Sequence, residues 1–550
     1  MVTMDIGAFT AKETVWYCPL DRITFKAESL RNIVPERGTY GFDVIVEVGQ
    51  ALFVHCRNSQ ETMDLLAAKN IFMSEREISY LGRKFIIYLA LAHRESQSHL
   101  RFFMAQNGGY ILHVDGTCEG DSPNLFCGID GISELVLDAI KIPSEKKERL
   151  VPFFQRIKNQ YGTPKALVHD MGRGIIAAVE EVFPGIPDFI CHFHFLRDIG
   201  KDLLLEEYTA FHKRLSKLKV RPSLRRKAKH LEQKIDPITQ PIDEIIVSME
   251  SGEWGDTSLE HIPLITTYAL IHWVFDYTAE SNGYGFPFDR PHLDFYRRLQ
   301  KAHRLLEDIR DIHLCGSKKD NKPFFHIWRA YKMIVDDKRL NDLAKSLERK
   351  ADVFDRLRKA MRITLPEDKM GLNDNGTHVD IRTIEAKVTS FRDWLTSKTQ
   401  RQGTYAGMIK QLDKYWEKLF ADPLKVTTAT SDIQYIQPQR TNNILERFFR
   451  GEKRRGRKKT GMASLNKMLK SILADTPLVQ NLKNDAYIDI ILNGCSCLAE
   501  RFSQIDTGLV QKEIQNAKCN SESIFPGIKM MVRDSDLLIK IESLFTSYAT

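Results

Sequence analysis

The feature that most constrains the fold is a change in the spacing of apolar residues near Tyr110. Before this point apolar residues recur at helical spacing, whereas after it short apolar runs alternate with turn residues. Apolar runs of about four to eight residues that are bounded by turns indicate buried strands. Together with the helical segments between them, the runs predict the order β-β-β-α-β-α-β-α over residues 109–204. The sequence therefore predicts an α/β fold built on a mixed sheet.

Two of the predicted strands end in an aspartate. Asp115 closes the first strand in HVDGT, and Asp170 closes the fourth in ALVHDMG. Ligand sites of open α/β sheets lie at strand ends, and carboxylates are ligands of hard cations such as Mg²⁺. The small residues Gly116 and Gly172 leave room for a cation and a phosphate beside the carboxylates. A single aspartate here would more often cap a turn, but the pair predicts a metal site.

A third acid is expected to complete this site. Glu446 lies in TNNILERFFRGEKRRGRKKTG, where Thr441 or Asn442 can cap a helix and place Glu446 in its early turns. Eight cations follow over residues 447–459, against one acid. A basic run of one sign is typical of a surface that binds nucleic-acid phosphates. The predicted DNA-binding residues are Arg447, Arg450, Lys453, Arg454, Arg455, Arg457, Lys458 and Lys459.

The segments around the predicted sheet have helical patterns. Residues 1–39 are irregular, and residues 40–108 hold three helical segments, the third starting at Ser74 with Glu77 at capping-box spacing. This layout fits a helix-turn-helix DNA-binding module or a plain helical bundle. Residues 205–437 are predicted to form a large all-α insertion. Residues 438–475 hold the helix with Glu446 and the basic run, and residues 476–550 form a helical C-terminal region.

Composition narrows the classes of protein that fit this chain. It has 550 residues, which predicts several domains, and a formal net charge of +8, which suggests an anionic partner. The nine cysteines form no CxxC pairs, so we expect reduced thiols and no structural zinc. We see no signal peptide and no apolar stretch long enough to span a membrane. These features predict a cytoplasmic protein.

The motif CHFH follows the predicted fifth strand. Cys191, His192 and His194 are residue types that bind metals, but side chains alternate between the faces of a strand. Cys191 and His194 therefore cannot share one face of an ideal strand. We favour a structural role for Cys191 and His194, in which a hydrogen bond orients the neighbouring site, over metal ligation.

These motifs, in this order, resemble the DDE-type transposases of prokaryotic insertion sequences. The resemblance covers about residues 110–475 and is carried by HVDGT, ALVHDMG, CHFH and TNNILERFFRGEKRRGRKKTG. Within that group the chain looks closest to members that share a C-x-x-H signature with the Mutator-like and hAT superfamilies. A helical insertion between the second aspartate and the glutamate is a further feature of this family.

The resemblance implies an RNase H-like catalytic domain that uses two Mg²⁺ or Mn²⁺ ions. Asp115, Asp170 and Glu446 would be the catalytic residues and the metal ligands, with Asp115 bridging both ions. It implies cleavage at the ends of the element that carries the gene, followed by attack of the freed 3′-OH on target DNA. The implied partners are double-stranded DNA, as terminal inverted repeats and target, and a second copy of the chain in a homodimer. A prokaryotic, nucleoid-associated location follows.

Three other classes of protein were weighed against this one. Another RNase H-like nuclease would rarely need so long an insertion or a late glutamate beside a basic run. A transposase-derived DNA-binding protein without activity would not need the complete acidic triad. A metabolic α/β enzyme would be expected to carry a glycine-rich phosphate loop after its first strand, and none occurs there.

Overall fold

The computed structural model describes most of the chain, and its contacts divide that chain into two compact units. The described residues are 1–25, 28–237, 242–252, 262–276, 284–311, 321–363, 381–399, 403–420, 422–427, 433–438, 440–462, 464–521, 531 and 534–548. The first unit comprises residues 1–191 and 421–550, and the second comprises residues 192–420.

The strands all belong to the first unit. They are β1 (Val2–Thr3), β2 (Gly7–Ala8), β3 (Trp16–Cys18), β4 (Ile23–Phe25), β5 (Ile111–Thr117), β6 (Asn124–Asp130), β7 (Val136–Ile142), β8 (Ala166–His169), β9 (Asp188–Ile190), β10 (Leu424–Thr427) and β11 (Ile433–Ile436). Within the described residues of 230–420 there is no strand, as the helical pattern of this region predicts.

The helices of the first unit precede, flank and follow its sheet. They are α1 (Glu28–Arg31), α2 (Phe42–Gly49), α3 (Ser59–Ala67), α4 (Glu75–Glu95), α5 (Gln97–Gln106), α6 (Lys147–Tyr161), α7 (Arg173–Val182), α17 (Asn443–Thr460), α18 (Asn466–Ser471), α19 (Asp485–Leu492), α20 (Leu498–Ser503), α21 (Thr507–Ser521) and α22 (Leu537–Tyr548). A π-helix over Gln50–Val54 continues α2, and a 3₁₀-helix covers Thr476–Lys483.

A five-stranded mixed sheet organises the first unit, in the order β7-β6-β5-β8-β9. The antiparallel β6 and β7 form a hairpin, with a turn that begins at Gly131. β8 and β9 run parallel to β5, as expected for strands joined through the crossover helices α6 and α7. The sequence prediction of a mixed α/β sheet is therefore confirmed.

The N-terminal helices differ from the separate DNA-binding module that the sequence suggests. α4 begins where predicted, because Ser74 and Glu77 form a complete capping box. However, every residue from Lys84 to His93 is buried, and α4 packs on α19, α20 and the 3₁₀-helix of the C-terminal region. This half of α4 therefore serves internal packing, while the DNA-binding role of residues 40–108 stays a prediction. Residues 40–108 are thus part of the core of the first unit.

Two short segments also differ from their predictions. Residues 1–39, expected to be irregular, contain the hairpins β1–β2 and β3–β4 and the short helix α1. Residues 424–427 and 433–436, expected to be helical within the insertion, form the antiparallel strands β10 and β11 of the first unit. The second unit accordingly ends at Phe420 rather than at the predicted position 437, and it starts at His192 rather than 205.

The second unit is a helical domain, as predicted. Its helices are α8 (His192–Lys217), α9 (Val220–Ile235), α10 (Ile242–Ser251), α11 (Ile262–Asp276), α12 (Pro291–Asp311), α13 (Lys322–Val335), α14 (Lys338–Met361), α15 (Ile381–Thr399) and α16 (Ala406–Leu419). α14 is central and packs on α8 and α15. Arg290 and Asp355 form a two-pronged ion pair at 2.6 and 3.1 Å beside this core. In the described part of both units, no helix is both long enough and apolar enough to cross a membrane.

A buried histidine joins three helices of the first unit. His93 of α4 lies 3.0 Å from the hydroxyl of Tyr487 in α19 through Nδ1, and 2.7 Å from that of Tyr161 in α6 through Nε2. Burial lowers the pKa of His93 to about 4. The imidazole is therefore neutral in the folded protein at neutral pH, where it hydrogen-bonds to two buried tyrosine hydroxyls.

We expect the stability of the first unit to fall as the pH drops below about 6.5, the ordinary pKa of histidine. Below this pH His93 binds a proton in the unfolded chain but not in the folded protein. The free energy of unfolding therefore falls by about 1.4 kcal/mol per pH unit until pH 4. We expect urea unfolding to show that the free energy of unfolding falls by about 2 kcal/mol more in the unaltered chain than in the His93→Gln variant between pH 7 and pH 5. Equal losses in the two proteins would contradict this assignment.

Candidate active site

The two predicted aspartates lie side by side at one edge of the sheet. β5 and β8 pair in parallel, with Ile111 opposite Ala166 and His113 opposite Val168. The same register, continued along both strands, places Asp115 opposite Asp170. Asp115 is buried, and its carboxylate accepts a hydrogen bond of 2.8 Å from the N–H of Gly116. Asp170 is half-buried and accepts a hydrogen bond from the N–H of Gly172.

Glu446 reaches the same edge from a distant part of the chain. It lies in the first turn of α17, which packs on β5 and β6. The apolar contacts that hold this turn against the sheet come from Ile444 and Leu445, both buried, with Phe448 and Phe449 half-buried behind them.

The pKa of Asp115 is sensitive to the charges of the other predicted acids. Burial raises the pKa of Asp115 well above its ordinary value, and the nearby carboxylate of Asp170 raises it further. Glu446 acts in the same direction, while the hydrogen bond from Gly116 opposes the shift. The structure thus brings the three predicted acids together around the end of β5.

A fourth carboxylate, which the sequence analysis missed, belongs to the same cluster. Glu145 lies in the loop between β7 and α6 and also raises the pKa of Asp115, which burial raises most. Burial and the charge of Asp170 raise the pKa of Glu145 itself. Its Oε1 accepts a hydrogen bond of 2.5 Å from Asn124 at the start of β6. An acid just before a helix is a common helix cap, so its sequence position gave no signal of this placement.

Two glycines make room for the Glu145 loop. A Cβ atom on Gly116 would lie 2.5 Å from Glu145 Oε1 and 2.4 Å from Asn124 Oδ1. A Cβ atom on Gly174, in the first turn of α7, would lie 1.9 Å from the carbonyl oxygen of Glu145. A glycine is therefore needed at position 116 for a second reason besides access of a ligand. It lets Asn124 and Glu145 approach the end of the strand.

The helix that carries Glu446 continues as a basic surface. Six cations of α17 are exposed, and their spacing puts them on one face, which we call the basic face. Arg447 also forms an ion pair of 2.9 Å with Glu134. The residues of the basic face are Arg447, Arg450, Lys453, Arg454, Arg457 and Lys458.

The other two predicted DNA-binding residues point into the protein. Arg455 forms an ion pair of 2.5 Å with Glu452 and is half-buried. Lys459 lies over the ring of Phe53, 5.0 Å from its centroid, and burial lowers its pKa. Arg455 and Lys459 therefore contribute to packing on this side of α17, and six of the eight predicted DNA-binding residues are exposed.

Cys191 makes a structural hydrogen bond, the kind of contact that the sequence analysis favours for it. It directly follows β9, and its Sγ accepts a hydrogen bond of 3.2 Å from the N–H of Asn442, the residue before α17. The cysteine thus links the last strand of the sheet to the start of the helix that carries Glu446. His194 lies in the first turn of α8, in the second unit, and is buried.

The donor set at the sheet edge fits a divalent cation in its chemistry. Asp115, Asp170 and Glu446 offer carboxylate oxygens, the ligands that Mg²⁺ and Mn²⁺ prefer, and burial together with mutual repulsion raises the pKa of Asp115. Among the described residues, however, no three His, Cys, Asp or Glu side chains already stand in a metal-binding arrangement.

Comparison with known proteins adds no assignment. No protein-family model matches the chain, and no curated protein matches it.

Proposed function

We propose that this chain is a DNA transposase whose first unit is an RNase H-like catalytic domain. The observation that carries the proposal is that the charges of Asp170 and Glu446 both act on buried Asp115, and that Glu446 begins the helix that bears the basic face. The order β7-β6-β5-β8-β9, with three antiparallel strands followed by two parallel ones, supports this fold. The helical second unit, placed between β9 and β10, supports the expected insertion.

In this proposal each group of residues has a defined task. Asp115, Asp170 and Glu446 would hold two divalent cations, which activate the attacking oxygen and stabilise the leaving oxygen of a phosphodiester. Because Asp115 and Asp170 lie on neighbouring strands and Glu446 on the helix packed against them, these acids would fix where the scissile phosphate binds. The basic face binds the phosphates of the DNA as it leaves the site, without reading its sequence.

The reaction can be tested with DNA that flanks this coding sequence. The full chain is incubated with a plasmid that carries both flanks and with a separate target plasmid, in Mg²⁺ or EDTA. We expect Mg²⁺-dependent nicks that leave a 3′-OH at each end of the element, followed by joining of that end to the target. Nicks without joining would favour a simple nuclease, and DNA binding without nicks would favour an inactive relative.

The basic face should set the salt dependence of DNA binding. Each phosphate contact contributes about 0.9 to the slope of log K against log salt, so Arg454→Ala with Arg457→Ala should lower that slope by about 2. A matched control, Lys345→Ala with Arg349→Ala, removes two exposed cations of α14 in the second unit and should leave the slope nearly unchanged. Mobility-shift titrations at several salt concentrations measure both. Equal slopes in the two double variants would show that DNA binds to a surface other than the basic face.

A further inference from the structure

We propose that Asn442 is a positioning residue that holds Glu446 in place relative to Asp115. The inference rests on the proposed function and deepens it, since it concerns how the third acid of the site is fixed. Asn442 immediately precedes α17 and is completely buried. Its side chain contacts β5, which carries Asp115, and its backbone contacts the residue that follows β9.

The side chain of Asn442 binds the strand that carries Asp115. Its Nδ2 donates a hydrogen bond of 2.8 Å to the carbonyl oxygen of Val114, one residue before the aspartate. Its Oδ1 lies 3.1 Å from Nδ1 of His113. The carbonyl of Val114 can only accept, so the amide orientation is fixed, and His113 is the donor in the second contact.

The backbone of Asn442 connects the same point to the rest of the site. Its N–H donates to Sγ of Cys191 at the end of β9, as described above. Its carbonyl oxygen accepts a hydrogen bond of 3.1 Å from the N–H of Glu446. One buried residue therefore ties β5 and β9 to the first turn of α17. The position of the Glu446 carboxylate follows from that of the turn.

This arrangement gives Asn442 a task different from that of other buried amides. Asn481 provides the comparison, because it too is buried and binds both backbone atoms of a strand residue, Val136, at 2.8 Å. Asn481 belongs to the 3₁₀-helix and contacts β7 at its start, whereas the Glu145 loop follows the other end of that strand. Loss of either amide removes two hydrogen bonds to a strand, but only loss of Asn442 frees the turn that bears Glu446.

The test compares Asn442→Ala with Asn481→Ala in the full-length chain. Mn²⁺ binding to the protein alone is measured by calorimetry, and the melting temperature of each variant gives the loss of stability. We expect both variants to melt earlier, but Asn442→Ala to bind Mn²⁺ about 10-fold or more weakly, as when partners that orient metal ligands are removed. Cleavage by Asn442→Ala should recover in part at high Mg²⁺, and Asn481→Ala should keep the normal Mg²⁺ dependence.

The outcomes separate this inference from the proposed function. The positioning role would be overturned if Asn442→Ala binds Mn²⁺ as tightly as the unaltered chain. It would also be overturned if Asn481→Ala loses as much Mn²⁺ affinity as Asn442→Ala. An unaltered chain that binds Mn²⁺ but does not cut DNA would overturn the proposed activity and leave the positioning role to be judged on Mn²⁺ affinity. An unaltered chain that neither binds Mn²⁺ nor cuts DNA would overturn both.

Discussion

Glu446→Gln is expected to abolish DNA cleavage and strand transfer while leaving DNA binding almost unchanged. Glutamine keeps the size of the side chain but removes the charge that a cation needs, so the rate should fall on the order of 10³-fold or more. The variant should be at least as stable as the unaltered chain, because burial and the neighbouring acids, Glu446 among them, raise the pKa of Asp115, and the substitution removes part of that repulsion. Single-turnover cleavage in Mg²⁺ and mobility shifts at fixed salt measure the two effects.

Glu452→Gln is the matched control for this experiment. Glu452 belongs to the same helix, but it pairs with Arg455 on the side opposite the basic face. Its substitution should lower stability and leave the cleavage rate of the folded protein close to normal. Near-normal cleavage by Glu446→Gln would show that the third acid has been chosen wrongly. An equal loss in both variants would show that the helix, rather than the carboxylate, is what the reaction needs.

The parts of the site that could be predicted from sequence are those that local patterns determine. Short apolar runs give β5 and β8, and the two aspartates follow these runs, although β5 continues past Asp115 to Thr117. The start of α4 was equally accessible, because a capping box involves residues three apart. The choice of Glu446 as the partner of Asp115 and Asp170 rested on the basic run beside it, and the resemblance to a known family supported that choice.

The features that were missed depend on contacts between distant segments. Glu145 joins the acidic cluster only because two glycines from other segments admit its loop. Likewise, the burial of α4 results from packing against helices that follow residue 484, which the amphipathic pattern of α4 does not reveal. The hairpin β10–β11 lacks a clear signal because most of its described side chains are exposed, so apolar and polar residues do not alternate strictly.

Gly174→Ala is expected to have the second largest effect on the reaction, although residue 174 carries no side chain. Its added methyl group would lie 1.9 Å from the carbonyl oxygen of Glu145, and a backbone atom cannot rotate away as a side chain can. Either the Glu145 loop or the first turn of α7, which follows Asp170, must therefore shift. Misplacement of catalytic groups by about 1 Å can cost roughly 10²-fold in rate, so we expect a loss of that order.

The same substitution should cost stability, and a second glycine provides its control. Overpacking in a filled interior typically costs about 1–3 kcal/mol, which urea unfolding of Gly174→Ala would detect. Gly407 lies in α16, where an added Cβ would meet nothing within 4 Å, so Gly407→Ala should be neutral or slightly stabilising. If Gly174→Ala keeps normal cleavage at normal stability, the Glu145 loop is free to move, and its close approach to Asp115 and Asp170 has no part in the reaction. If it loses cleavage and retains Mn²⁺ binding, the shift acts on the placement of the DNA phosphate rather than on the carboxylates.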